Sequence, residues 1–279
     1  MDVYYVNGKF VTENEAVISV NDMAILRGYG VFDFLRTYGK RPYRLEDHIT
    51  RLQTSARLID LKIPCSSREI YDIVMEALNR SAYEEANIRI VVTGGVSNDS
   101  ITPGDGAKLL VMITDKHELP AEWYSDGIKI ILTHDERYCP GAKTTNYIPA
   151  ILALRNARDQ HAVESVYVDR YNRVMEGTTT NIFVFRGNTL ITPAIDILPG
   201  VTRQTVLALA ADHFDVEVRD FKKEELRLID ESFISASNKE IVPVVQIDGM
   251  VVGDGKPGAR TRKIMDIFAA HTAEYAKGK

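Results

Sequence analysis

The sequence predicts an α+β protein of two mixed α/β domains with an active cleft between them. Three observations lead there. The chain has 279 residues, enough for two compact lobes. Its first third runs from strands through helices back to strands, and its second half mixes both again. Between them Asp115 to Gly127 is polar, holds Pro120 and the single Trp123, and keeps no sustained period. Exposed, proline-bearing stretches of this kind favour domain boundaries. The expected domains are therefore 1–118 and 128–279, joined by a linker at 119–127, with a cleft where such lobes meet.

The elements follow in order. Val3 to Val6 and Phe10 to Val11 flank Asn7-Gly8, a dipeptide suited to a tight hairpin because both positions tolerate positive φ. Val31 to Tyr38 and Pro42 to Leu45 flank Gly39-Lys40 and predict a second hairpin. A helix follows over Glu46 to Leu58, with Ile49, Leu52 and Ala56 on one stripe, and another over Ser67 to Asn79. Strands return at Ile88 to Thr93 and Leu109 to Thr114. Beyond the linker, strands are expected at Ile128 to Thr133, Ser165 to Val168, Asn181 to Phe185, Val216 to Val218 and Phe233 to Ser235. Helices are expected over Ile148 to Asp159, Thr202 to His213 and Thr261 to Ala276.

Composition narrows the function classes. An apolar fraction of 45% with 26% charged residues excludes a disordered, collagen-like or coiled-coil chain. A net charge of −5 argues against nucleic acid as a partner, which calls for a concentrated basic face. Cys65 and Cys139 stand far apart, which excludes a disulfide framework and fits a reducing cytosol, so a cytoplasmic protein is expected. The N-terminus lacks the basic start and apolar stretch of a signal peptide, and aliphatic runs such as Leu109 to Ile113 are too short to span a membrane. The histidines are scattered without ligand spacing, so no metal site is expected. No GxSxG elbow or GxxxxGK[ST] loop is present, and Arg27-Gly-Tyr-Gly30 is a lone GxG without a dinucleotide fingerprint.

Three segments carry more than packing requires. In Cys139-Pro-Gly-Ala-Lys143-Thr-Thr-Asn-Tyr147 a lysine follows a breaker at the mouth of a helix. A buried lysine loses its charge readily and its neutral amine can form a Schiff base, while a solvated surface lysine fits the spacing equally. In Val174-Met-Glu176-Gly-Thr-Thr-Thr-Asn181 a carboxylate precedes a polar turn that feeds an apolar strand; a bend glutamate facing water is the plainer alternative. In Ile197-Leu-Pro-Gly200-Val-Thr202-Arg a helix starts directly after a loop. Its free N–H groups suit a phosphate, and ordinary capping by Thr202 competes with that reading.

Taken in this order, the segments resemble the class IV pyridoxal-phosphate enzymes of fold type IV. That family includes branched-chain amino acid aminotransferases, D-amino acid transaminases and aminodeoxychorismate lyases. The likeness covers the whole chain. It runs through Ile25-Leu-Arg27-Gly-Tyr29-Gly-Val-Phe-Asp-Phe34-Leu-Arg36, His48-Ile-Thr-Arg51-Leu-Gln-Thr-Ser55-Ala and Asn87-Ile-Arg89-Ile. It continues through Lys143, Glu176, Leu198-Pro-Gly-Val-Thr-Arg203 and Ser235-Ala-Ser237-Asn-Lys-Glu240. The resemblance implies pyridoxal 5′-phosphate as cofactor, with Lys143 holding its aldehyde and carrying the proton of transamination. It implies Glu176 at the pyridine nitrogen and Arg51, Val201, Thr202 and Ser237 around the phosphate. Tyr147 would stand at the phenolic oxygen.

Substrate residues follow from the same resemblance. Arg27 and Arg89 are the candidates for the α-carboxylate, since a planar donor fork grips it best. Tyr29, Phe34, Arg36, Thr179, Thr180 and Asn238 complete the expected substrate set. The loop of Arg27 would enter the neighbouring subunit's site, which implies a homodimer. The Arg27–Arg89 pair resembles an atypical group of D-amino acid transaminases, although an arginine closely follows the glutamate there and Glu176-Gly-Thr-Thr-Thr has none. Tyr29, Phe32 and Arg36 match the branched-chain L-specific group instead, where Phe34 replaces a common glycine. The expected reaction is amino transfer between an amino acid and a 2-keto acid, leaning to D-amino acids. Branched-chain L-amino acids are the alternative, and a lyase or a non-catalytic binding protein stands further off.

Overall fold

A computed structural model describes residues 1–278 of the chain. Its contacts divide into two compact units. The first comprises Met1–His117, Gly141–Tyr147 and the residues from Ala273 onward; the second comprises Glu118–Pro140 and Ile148–Thr272.

The first unit is built on β1 (Val3–Val6), β2 (Lys9–Val11), α1 (Met23–Arg27), β3 (Gly30–Tyr38), β4 (Arg41–Pro42), α2 (Leu45–Leu58), α3 (Ser67–Arg80), β5 (Ala86–Thr93) and β6 (Lys108–Asp115). The strands form one antiparallel sheet in the order β2-β1-β6-β5-β3-β4. Both expected hairpins are present, and Asn7 and Lys40 take the positive φ that their tight turns demand. Strict alternation sends Val31 and Leu35, Ile88 and Ile90, and Val111 and Ile113 to one face, where Ile49 and Leu52 of α2 and Ile70 and Val74 of α3 cover them. Ser66 and Glu69 form a capping box that starts α3. The strand expected over Pro42 to Leu45 shortens to β4, because Leu45 already opens α2.

The second unit contains α4 (Glu122–Ser125), β7 (Ile128–His134), α5 (Ile148–Asp159), β8 (Glu164–Val168), β9 (Val174–Gly177), β10 (Asn181–Arg186), β11 (Thr189–Thr192), α6 (Val201–Ala210), β12 (Asp215–Val218), β13 (Glu231–Ala236), β14 (Glu240–Ile247), β15 (Met250–Val251) and most of α7 (Ala259–Ala276). Its sheet runs β12-β11-β10-β13-β14-β7-β8-β9, with β15 on β14. Both faces of the central strands are covered, which is why Asn181-Ile-Phe-Val-Phe is an unbroken apolar run after its asparagine. Ile182, Val184 and Ile234 face one core, while Phe183, Phe185 and Phe233 face Val206 of α6 and Phe268 of α7.

Three sequence expectations change here. The stretch 119–127 holds α4, whose Trp123 and Tyr124 pack on the second core, so it is part of that unit rather than a free connector. Gly141–Tyr147 groups with the first unit although it lies beyond the expected boundary. Strand β14, which contains Pro243, is not among the expected strands. Pro243 pairs with Phe233 on one side, and on the other the ladder to β7 begins only at Val244, so the proline stands just before that pairing. Among the described residues no helix is long and apolar enough to cross a membrane, and no group of three or more His, Cys, Asp or Glu is placed to hold a metal ion.

Candidate active site

Lys143 is positioned by backbone pairing, not by the helix that follows it. The segment around it lies antiparallel along the edge of β3: Phe32 N–H donates to Lys143 O at 2.9 Å, Thr145 N–H to Gly30 O at 2.9 Å, and Val31 bridges Thr144. Lys143 N–H donates in turn to Ser55 Oγ of α2 at 3.0 Å, and that hydroxyl donates to Arg51 O at 2.8 Å. Adjacent antiparallel residues share a face, so the lysine side chain emerges beside Phe32, with Nζ 4.7 Å from the ring centroid.

That face carries several of the expected residues together. Phe34 stands opposite Arg89 in the β3–β5 register, and the Arg89 guanidinium lies 5.4 Å from the Phe32 ring and 5.3 Å from the Phe34 ring. Tyr147 meets Phe32 edge-on at 5.5 Å. Among the described residues no carboxylate pairs with Arg89. Arg36 stacks at 4.5 Å on Tyr38 and is buried. The Tyr29 ring packs against the first core and its hydroxyl donates to the carbonyls of Ile59 and Asp60, each at 3.0 Å. Arg27 is exposed at the end of α1, donating to Leu26 O at 2.7 Å.

On the helix-covered face the same strand buries a charge. Arg51 forks onto Asp33 through Nε at 2.9 Å and Nη2 at 2.7 Å, and His48 Nδ1 meets Asp33 Oδ1 at 2.7 Å. Burial by itself would raise the Asp33 carboxyl; Arg51 and His48 outweigh it and hold it well below the usual carboxylate range. Burial likewise lowers His48, against the pull of Asp33. The sequence signal for this cluster was an aspartate between Val31 and Leu35 on the buried phase of a strand.

In the second unit Glu176 is buried, which disposes of a glutamate facing water. Arg137 Nη1 donates to its Oε1 at 2.6 Å and also to Pro140 O at 3.1 Å, while Leu198 N–H donates to Oε2 at 3.0 Å. Arg137 gave no signal in the sequence, being one arginine in a polar stretch. The Gly177–Thr180 turn closes around a second buried carboxylate, Glu164. Oε1 accepts from Thr178 Oγ1 and Ser165 N–H, and Oε2 from Thr179 Oγ1 at 2.7 Å and Thr180 Oγ1 at 3.2 Å. A Cβ at position 177 would collide with Thr180 Oγ1 and crowd Glu164, so only glycine fits.

Helix α6 begins at Val201 behind Gly200, with no side chain capping its first turn; Thr202 does not fill that place. A Cβ on Gly200 would collide with Asn181 Oδ1. Directly across the ladder from Asn181, Ser235 Oγ is buried without a hydrogen-bond partner. Ser237 and Asn238 form the turn between β13 and β14, Ser237 half-buried and Asn238 exposed.

Residues 30–247 match the amino-transferase class IV family, and the chain belongs to that family. It is 35% identical over 272 residues to the "Putative branched-chain-amino-acid aminotransferase" of Methanocaldococcus jannaschii, covering 95% of this chain and 94% of that one. It is 33% identical over 286 residues to a D-alanine aminotransferase of Listeria monocytogenes, covering 98% and 99%. The Escherichia coli branched-chain amino acid aminotransferase has the same fold, with a TM-score of 0.91 at 27% identity over 96% of this chain and 94% of that one. A second branched-chain amino acid aminotransferase, that of T.th., solved with pyridoxamine 5′-phosphate, matches with a TM-score of 0.91 at 26% identity over 98% and 94%.

Class IV aminotransferases use pyridoxal 5′-phosphate, and the residues present fit it. A lysine amine stands on an aromatic face, and a buried carboxylate is paired with an arginine. An uncapped helix start next to a glycine cradle and the orphaned Ser235 hydroxyl suits an anionic group.

Proposed function

We propose that this aminotransferase moves the amino group between a D-amino acid and a 2-keto acid. The observation that carries the reading is Arg89, a guanidinium flanked by Phe32 and Phe34 on the face of Lys143, with no carboxylate of its own among the described residues. Such a fork suits a substrate carboxylate. The lean to D-amino acids draws on the Arg27–Arg89 pair and on the D-alanine aminotransferase relatives. Branched-chain L-amino acids are the second reading, favoured by the aromatic pair Phe32–Tyr147 and by the archaeal relative. A lyase or a binding protein stands behind both, and a binding module would need neither Lys143 nor the Arg137–Glu176 pair.

When bound, pyridoxal 5′-phosphate supplies an aldehyde for the amino group and a ring that accepts the electron pair released at the substrate Cα. Lys143 Nζ would take the substrate Cα proton and deliver it to the cofactor's former aldehyde carbon, and the reverse half would run the same transfer backwards. Glu176, which accepts from Arg137 Nη1 and Leu198 N–H, would stand at the ring nitrogen and favour its protonated form. The Val201 and Thr202 amides, the Thr202 and Ser237 hydroxyls and Arg51 would hold the phosphate, with Arg51 fixed in place through the Nε and Nη2 that it gives to Asp33. Tyr147 would donate to the phenolic oxygen. Thr179, Thr180 and Asn238 border the substrate.

The working unit is a cytosolic homodimer. Ile148, Ile151 and Leu152 form an exposed apolar stripe at helical spacing on α5 that a second copy would cover, and both cysteines are free thiols, as a reducing compartment allows. The activity is tested by mixing holoenzyme with D-alanine, D-glutamate, L-leucine and L-glutamate separately and following the cofactor's absorbance. Rapid change with the D-amino acids is expected, and rapid change with L-leucine alone overturns the D assignment. In Arg89→Ala, turnover should fall far more than cofactor binding; equal losses contradict its carboxylate role.

A further inference from the structure

Lys239 plays no part in the reading above, yet its surroundings are unusual. It closes the turn between β13 and β14, directly after Asn238, and is half-buried. Its Nζ donates to Thr179 Oγ1 at 3.1 Å, and Thr179 Oγ1 donates on to Glu164 Oε2 at 2.7 Å. The threonine hydroxyl is therefore fixed as acceptor from the lysine and donor to the glutamate. Glu164 already accepts from Thr178, Thr180 and Ser165 as well, so its carboxylate is saturated without direct contact from the ammonium. Among the described residues no carboxylate lies within ion-pair distance of Nζ, and Thr179 is its one hydrogen-bond partner.

An ammonium carries three donors. Here one is used, and the other two have no protein acceptor in partly desolvated surroundings, an arrangement that costs free energy unless an anion completes it. Burial accordingly pushes the Lys239 ammonium below the ordinary lysine value, with Glu164 opposing. The ammonium joins two turns: Gly177–Thr180, which follows Glu176, and Ser237–Lys239. Both contain residues assigned above to cofactor or substrate.

We propose that Lys239 binds a substrate carboxylate other than the one assigned to Arg89, and so determines how well a dicarboxylic keto acid or amino acid is used relative to a neutral one. The proposal rests on the aminotransferase reading and adds a specificity-determining residue to it.

The test compares wild-type holoenzyme with Lys239→Met and Lys239→Arg, using 2-oxoglutarate and pyruvate as acceptors for one common amino donor. Lys239→Met should raise KM for 2-oxoglutarate about tenfold or more, the size of a lost charge-assisted hydrogen bond, with pyruvate kinetics changed little. Lys239→Arg should recover most of that loss. In the wild type, KM for 2-oxoglutarate alone should climb toward alkaline pH as the ammonium deprotonates. Equal losses for both acceptors, an unchanged 2-oxoglutarate KM, or weaker retention of the cofactor phosphate overturns the assignment. Wild-type enzyme that transfers amino groups to neither acceptor overturns the underlying reading as well, so the two failures are told apart in the unmutated protein.

Discussion

Glu176 shows how much a single side chain depends on neighbours that the local sequence does not announce. Both its oxygens are engaged by the protein: Arg137 supplies a charged donor to one and the Leu198 amide a neutral donor to the other. The pair is largely removed from water, with side-chain exposures of 18% and 5%, so removing one partner leaves the other charge uncompensated. Arg137→Met is therefore expected to destabilise the fold by on the order of 3 kcal/mol. It should also slow the amino-donor half-reaction about tenfold, the effect typical of groups that orient a reacting partner, while leaving substrate affinity nearly intact. Denaturant titration and single-turnover absorbance measure the two effects. A variant that loses stability at full single-turnover rate would show that Arg137 serves the fold alone. The sequence singles out Lys143 and Glu176 as candidates, because each stands in a motif whose order is distinctive. Arg137, Glu164 and Lys239 are not singled out, since each is an ordinary charged residue until its partner is brought in from a distant segment.

At the scale of elements, α2 and β3 are joined by a buried ionic cluster as well as by aliphatic packing. The stripe Ile49, Leu52 and Ala56 could be read from periodicity and covers the sheet as expected. The polar half of the contact links Asp33 with His48 and Arg51, and the next turn of α2 grips the Lys143 amide through Ser55. The folded chain lowers the His48 pKa, so between that value and the ordinary one of about 6.5 the unfolded chain binds more protons. The resulting stabilisation is complete above about pH 6.5 and declines as the pH falls below it. Asp33, also depressed, adds a loss of the same sign once the pH drops below its unfolded value of about 3.9. The urea midpoint of the wild type should thus fall between pH 7 and pH 5, and His48→Gln should give a flatter profile over the same window. Parallel profiles would exclude His48 as the source. Strand β14 is the opposite lesson: it is not among the expected strands, and its Pro243 stands just before the pairing with β7 begins.

For the whole molecule, the proposed homodimer has a direct measurement. Sedimentation velocity should give twice the monomer mass for the wild type, and Ile151→Glu, which puts a charge into the exposed α5 stripe, should shift the distribution toward monomer. A wild type that sediments as a monomer removes the proposal. Primary structure was sufficient for the class of protein: strand and helix periods, the turn dipeptides and the ordered motifs identify a class IV aminotransferase, because each depends on residues close together in the chain. It was also sufficient to single out the lysine and the glutamate. Folding alone settled which residues meet. It carried Gly141–Tyr147 onto the edge of β3, buried Asp33 under α2, set Arg137 against Glu176 and brought Lys239 to Thr179. Those contacts join positions many residues apart, and whether a charged side chain is solvated or paired depends on what the rest of the chain places beside it, which local sequence patterns do not encode.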